Sequence, residues 1–275
     1  MSEKLAKAIQ FISKASLPES NLAIILGSGL GSFADHLKDS VEIQCDQIPY
    51  YPISTVEGHD GKLVVGYWKE TPVIAVKGRT HYYEGYNIKQ VTFIVRILAA
   101  LGVKLLIVTN AAGGISQHFK PGDLMLITDH INMMFSNPLI GPLDYGEPRF
   151  PDMSCPYSKK YQELAETVAV SKKIDLKRGI LYVSTGPSYE TRSEVKMIGK
   201  IGAEAVSMST VPEVIAANHA GLAVIGISCI TNLATGINRS PLSHEEVTRT
   251  ADRVRTKFIY LISGIIEQLK RSKDF

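Results

Sequence analysis

The stretch Leu22-Ala23-Ile24-Ile25-Leu26-Gly27-Ser28-Gly29-Leu30-Gly31-Ser32 sets the fold class of this 275-residue chain. Five consecutive apolar residues closed by a glycine suit a strand covered on both faces. The glycines that follow let the backbone approach a ligand closely, and Ser28 adds a hydroxyl donor. A dinucleotide fingerprint needs its third glycine one residue later, where Ser32 stands, and no G-x-x-x-x-G-K-[ST] phosphate loop occurs. The loop is therefore either a plain tight turn or a cradle for a small anion.

The same apolar pattern recurs along the chain. Strand-like runs are Leu63 to Tyr67, Val73 to Val76, Leu105 to Thr109, Leu124 to Thr128, Ile180 to Val183 and Leu222 to Ile227. Helical periodicity lies between several of them: Ile88, Val91, Val95 and Leu98 share one face, and Gly102 stops the run. Thr191-x-x-Glu194 and Ser243-x-x-Glu246 match the capping box, and the second opens a long amphipathic helix through Val247, Ala251, Val254, Phe258, Leu261 and Ile265. Alternating strands and helices predict an α/β fold with a largely parallel sheet. The short connection between Leu63–Tyr67 and Val73–Val76 predicts a hairpin, so the sheet is mixed and flanked by helices.

A hydrophobic content of 45% can fill one large core, and no linker, repeat or low-complexity tract divides the chain, so residues 1–275 read as a single domain. Thirty basic against twenty-seven acidic residues give a net charge of +3, too balanced for a nucleic-acid or membrane-surface binder. Cys45, Cys155 and Cys229 are odd in number and far apart, with no C-x-x-C spacing. That argues against a disulfide framework or zinc site and for a reducing compartment. The charged amphipathic N-terminus lacks the apolar core of a signal peptide, and Ala220 to Ile237 is interrupted by polar residues, so no membrane span is expected. The expected location is the cytoplasm.

Polar or glycine-rich clusters follow the strands at the ends where open α/β sheets bind ligands. After Val73–Val76 comes Gly78-Arg79-Thr80-His81-Tyr82-Tyr83-Glu84-Gly85-Tyr86. Arg79 and His81, two apart in extended backbone, point to one face and can grip a tetrahedral oxyanion. The tyrosines are apolar plates with polar tips, suited to a sugar or a flat base, or simply to capping the core. After Leu105–Thr109 comes Asn110-Ala111-Ala112-Gly113-Gly114, whose small residues leave room and whose amides can point at a ligand. His59 lies in a turn between glycines. Glu190, in Gly186-Pro187-Ser188-Tyr189-Glu190-Thr191, is either a first-turn acid or an acceptor for the N–H groups of a base edge. Met208 and Ser209 offer a soft apolar surface and a donor near a helix start, although Met208 could equally be core filler. Asn232 ends a very apolar strand with an amide, and His244 sits at a helix N-terminus. No Ser-His-Asp set, H-E-x-x-H motif or catalytic carboxylate pair is evident. Anion grip, aromatic surface and base-edge readers together fit phosphate plus a nucleoside.

In order and spacing, Gly27–Gly31, Gly78–Tyr86, Thr109–Gly114, Gly186–Thr191, Met208–Glu213, Ile230–Asn232 and His244–Val247 resemble the low-molecular-weight, trimeric purine nucleoside phosphorylases. The resemblance implies the nucleoside phosphorylase fold and a reaction in which phosphate displaces a purine from C1′ of ribose, with no cofactor beyond phosphate as co-substrate and no metal. It implies phosphate ligands at Ser28, His59, Arg79, Thr80, His81, Ser209 and the Ala111 amide, and ribose contacts at Tyr83, Met208 and His244. Glu190 and Asn232 would read the purine, with Tyr189 against it. His81, Glu190 and Asn232 would carry the catalytic roles, and Phe150 would reach a neighbouring subunit's sugar pocket in a homotrimer. Asn232, where related methylthioadenosine phosphorylases place aspartate, implies 6-oxopurine preference. Ser207 replaces a glycine common in the family, and residues 233–237 depart from the mammalian form. A nucleoside hydrolase would leave the anion ligands idle, a nicotinamide dehydrogenase is opposed by the misplaced glycine, and a non-catalytic purine binder would not need the anion grip.

Overall fold

The computed structural model of the chain describes residues 1–56, 61–143, 147–237 and 244–272, the side chains of His244, Glu246 and Val247 excepted. Its strands are β1 (Leu22–Leu26), β2 (Lys38–Gln44), β3 (Lys62–Trp68), β4 (Thr71–Lys77), β5 (Leu105–Gly114), β6 (Leu124–Asn132), β7 (Leu176–Val183), β8 (Ala205–Ser207) and β9 (Ala223–Leu233). The helices are α1 (Glu3–Ile12), α2 (Ile88–Val91), α3 (Phe93–Ala100), α4 (Lys159–Ser171), α5 (Arg192–Lys200), α6 (Val211–His219) and α7 (His244–Arg271). The nine strands form one mixed sheet in the order β2-β3-β4-β1-β5-β8-β7-β6-β9, and β9 also pairs with β5. Strands β5, β8, β7, β6 and β9 therefore close into a ring, from which β1, β4, β3 and β2 extend.

The β3–β4 hairpin is antiparallel, as its short connection requires, and β1 lies parallel to both β4 and β5. Buried residues of β1 alternate between two cores. Ala23 and Ile25 join the helices α1, α3 and α6, while Leu22, Ile24 and Leu26 join α4 and α7. Burial on both faces explains the unbroken apolar run. On α7, Val254, Phe258, Leu261 and Ile265 are buried in the second core, at roughly 1.5–3 kcal/mol for each large apolar side chain, and Ala251 is buried as well.

Several expected boundaries move. Asn110–Gly114, expected as a loop after Leu105–Thr109, continues β5, because β9 pairs with it along its whole length. The strand expected over Leu222–Ile227 runs to Leu233, and the one over Ile180–Val183 starts at Leu176. The helix expected from Ile88 divides at Thr92, whose hydroxyl bonds back to the Ile88 carbonyl at 3.0 Å. The Thr191–Glu194 capping box is present in both halves, whereas Ser243 lies outside the described residues.

Candidate active site

Strand β5 has one edge shared by two partners. Residues Leu105–Val108 pair with β1, and Gly113–Gly114 pair with β8, leaving a gap between them. Gly27 makes the departure of β1 possible, because a Cβ there would lie 2.7 Å from Asn110 Cα and 2.8 Å from the Thr109 carbonyl. Thr109 Oγ1 holds the parting strands, donating to the Ile25 carbonyl at 3.0 Å and accepting from the Gly27 amide at 2.9 Å. The Thr109 carbonyl takes Arg79, and the Ala111 carbonyl takes the Ser207 hydroxyl at 3.0 Å. A residue's N–H and C=O leave an extended strand on the same edge, so the Ala111 amide also faces the gap. A cleft with about 730 Å³ of empty space opens there.

That cleft collects most of the residues singled out in the sequence. Ser28, Arg79, His81, Ala111 and Ser209 line it together with Tyr83, Met208, Tyr189, Glu190 and Asn232. Thr80 is buried but does not line the cleft. Phe150 is 88% exposed and likewise lies outside the lining. His59 lies outside the described residues, as does the side chain of His244.

Arg79 is 4% exposed and held from three directions. Its Nε donates to Glu213 at 2.9 Å, and Nη1 donates to the Thr109 carbonyl at 2.8 Å and to Ser209 Oγ at 3.1 Å. Accepting from Arg79 leaves the Ser209 hydroxyl a proton to donate. Between Ser209 and α6, Thr210 has φ 81° and ψ −52°, and the Val211 amide bonds to the Ser209 carbonyl at 3.0 Å. This is the positive-φ γ-turn, the rare and strained form, here on a fully buried β-branched residue. The turn puts Ser209 in the cleft and Glu213 in the first turn of α6.

His81 is buried and stacks on Tyr83, ring centroids 4.7 Å apart at 11°. Its Nδ1 lies 3.0 Å from Glu84 Oε1, which also accepts from the His81 amide at 2.6 Å. Burial lowers the imidazole pKa, only partly offset by Glu84. Neutral His81 thus donates from Nδ1 to the carboxylate. Its Nε2 can accept from a phosphate hydroxyl, or donate to a phosphate oxygen once the ring is protonated. For Glu84, burial opposes the charge, but hydrogen bonds from His81 and Thr55 outweigh it and pull the carboxyl down to about 2. The ionised form therefore stabilises the fold at all pH values above 4.5, and that contribution is lost as pH falls toward 2. In thermal unfolding, the Tm advantage of the wild type over Glu84→Gln is expected to be constant above about pH 5 and to close between pH 4.5 and 2. A gap indifferent to pH across that window would contradict the assignment.

Farther along β5, where Asn232 Nδ2 lies against Gly113, Thr231 Oγ1 donates to Asn232 Oδ1 at 2.9 Å, and Asn232 Nδ2 donates to the Leu233 carbonyl at 3.2 Å. The hydroxyl fixes the amide's orientation, so its remaining N–H is what it can offer a ligand. Glu190, just before the α5 cap, accepts from Ser184 Oγ at 2.9 Å. Met208 packs on Gly186, where φ is 61° and a Cβ would come within 2.3 Å of Sδ. Ser207, which replaces a glycine common in the family, turns its hydroxyl to β5. Glu84, Glu213, Ser184 and Thr231 are given no role by the sequence. Only their hydrogen bonds to Arg79, His81, Glu190 and Asn232, visible once the fold is built, single them out.

Comparison with known proteins supplies the wider setting. Residues 21–267 match the family model described as the phosphorylase superfamily. A Bacillus subtilis protein, purine nucleoside phosphorylase 1, is 52% identical over 271 residues, which are 98% of this chain and 99% of that protein. Its namesake from Geobacillus stearothermophilus is 48% identical over 98% of each chain. Among solved structures, a Schistosoma mansoni purine nucleoside phosphorylase in complex with inosine superposes with a TM-score of 0.91 at 34% identity, covering 97% of this chain and 96% of that one.

Proposed function

Since the chain belongs to the phosphorylase superfamily as one of its purine nucleoside phosphorylases, which are pentosyltransferases, we propose that its substrates are 6-oxopurine nucleosides. Inosine and guanosine, as ribo- or deoxyribonucleosides, would be cleaved by phosphate to the free base and (deoxy)ribose 1-phosphate, in purine salvage. One observation carries this reading: one cleft is lined both by hydroxyl, guanidinium and imidazole groups suited to an anion and by a carboxylate and an oriented amide suited to a base edge. Phosphate sits between Ser28, Arg79, His81, Ser209 and the Ala111 amide, and no other cofactor takes part. The bond from C1′ to the purine nitrogen breaks with its electron pair going to the base, and a phosphate oxygen bonds to C1′. Held as an anion, phosphate stabilises the oxocarbenium-like sugar and then captures it. Asn232 donates to N7 or O6 of the departing purine while Glu190 accepts from N1–H. Tyr189 lies against the base, and Tyr83, Met208 and His244 contact the sugar. Adenine offers no N1–H and no O6, so it fits the pair poorly.

We extend the reading to a homotrimer in which Phe150 completes a neighbour's sugar pocket. The segment before it is firmly tied, with Glu147 paired to Arg96 and His219 Nε2 2.8 Å from the Pro148 carbonyl, yet Phe150 itself points outward. A monomeric mass by sedimentation would remove this part. A cytoplasmic setting accords with Cys45 and Cys229, buried free thiols pushed by burial up to about 12, and recovery of the protein from a secreted fraction would contradict it. The central test is purine release from inosine, guanosine and adenosine with and without phosphate. Release is expected to need phosphate and to favour inosine and guanosine. Phosphate-independent release, or a higher kcat/KM for adenosine than for inosine, would overturn the assignment.

A further inference from the structure

We propose that Glu213 is a positioning residue for anion binding: its carboxylate oxygen, acting as a hydrogen-bond acceptor at Arg79 Nε, sets the guanidinium plane that meets phosphate. The inference rests on the reading of Arg79 as a phosphate ligand given above. Glu213 is 2% exposed and lies in the first turn of α6, two positions past the strained turn that delivers Ser209. Helix and anion site are thus one mechanical unit. The same short segment, Ser209 to Glu213, places a hydroxyl on Arg79 Nη1 and a carboxylate on Nε.

Contacts at two different nitrogens fix a planar fork in a way that contacts at one nitrogen do not. Thr109, Ser209 and, at 3.4 Å, Thr210 all accept from Nη1, so these three contacts fix that nitrogen and not the direction of the fork. The Glu213 contact at Nε holds a second nitrogen of the fork and so sets its direction. Its partner oxygen comes from a helix, while the Nη1 acceptors come from β5 and from the loop before that helix. Arg79 therefore reads the relative placement of strand and helix. The buried Tyr157 and the half-buried Tyr51 lie within reach of the Glu213 charge, which adds to the effect of burial in raising both phenols.

Charge and geometry make opposite demands at this position. A buried negative charge beside an anion site weakens phosphate binding, whereas a correctly placed acceptor strengthens it by preorganising the arginine. If Glu213 acts by position, its charge is dispensable and its reach is not. Glu213→Gln keeps the acceptor at the same length and discards the charge. Glu213→Asp keeps the charge and withdraws the acceptor by one methylene. Both are conservative enough to fold, which thermal unfolding checks.

The readout is the KM for phosphate set against the KM for inosine in the full-length enzyme. Glu213→Gln is expected to have a phosphate KM at or below the wild-type value. Glu213→Asp is expected to lose about ten- to a hundredfold in kcat/KM for phosphate, as misplacement of a substrate-holding group by about 1 Å does, with the inosine KM within about threefold. The reverse order, in which Asp is spared and Gln impaired, would make Glu213 a counter-ion only and overturn the proposal. Equal effects of the two variants, or parallel losses for both substrates, would also overturn it. If the wild type releases purine without phosphate, the reading of the site fails first. If the wild type needs phosphate and Glu213→Asp leaves its KM unmoved, only this inference fails.

Discussion

Asn232→Ala is expected to lower kcat for inosine phosphorolysis by about 10²–10³-fold, a barrier increase of roughly 3–4 kcal/mol, as for loss of one preorganised donor to a developing anion. The size of the effect follows from how the amide is held. Thr231 donates into Oδ1 and the Leu233 carbonyl takes one N–H, so the amide reaches its working geometry before substrate arrives. No reorganisation is then needed as charge builds on the purine. The loss should fall on kcat more than on the inosine KM, because the interaction strengthens as the base departs. The phosphate KM should stay near its wild-type value, since Asn232 lies against Gly113 while Arg79 bonds the Thr109 carbonyl, farther back along β5. A variant that loses affinity for both substrates equally, with kcat preserved, would show that Asn232 only shapes the pocket.

Arg79→Ala should be costly twice over. It removes the principal phosphate ligand, and it leaves Glu213 as an uncompensated carboxylate in a site where only 2% of that residue is exposed. Breaking one side of a buried ion pair costs about 3–5 kcal/mol, a large share of the stability of an ordinary domain. Urea unfolding should show the midpoint falling by a corresponding amount with little change in slope. The double variant Arg79→Met with Glu213→Leu should recover most of that stability, because two apolar groups of similar volume need no partner. It should recover none of the phosphorolysis. If Arg79→Ala unfolds within about 1 kcal/mol of the wild type, the pair is not the desolvated contact described here.

Much of the fold was legible because burial on both faces leaves an unbroken apolar signature, as in Leu22–Leu26 and Leu105–Val108. Strand β2 was not legible. Lys38-Asp39-Ser40-Val41-Glu42-Ile43-Gln44 sits at the sheet edge with only Ile43 buried, so its alternation carries almost no signal. Strand β8 is three residues long and owes its existence to partners β5 and β7. The site divides in the same way. Arg79, His81, Glu190 and Asn232 stood out because such groups are conspicuous beside apolar strands. Glu213 did not, because its partner is 134 residues away and a glutamate in a first helical turn looks like ordinary dipole matching. Ser184 and Thr231 were silent for a related reason: a hydroxyl acquires meaning only from what it orients.

The gap on the edge of β5 has a consequence for how the molecule acquires its activity. The cleft draws on Ser28, Arg79, Ala111, Glu190, Ser209 and Asn232, groups scattered from the first strand to the last, and the ring closes only when β9 enters between β5 and β6. No single stretch of neighbouring residues can pre-form the whole of it. Contacts of such wide sequence separation are made late and slowly. A growing or refolding chain therefore stays catalytically silent until its last strand is seated, and turnover counts finished molecules alone.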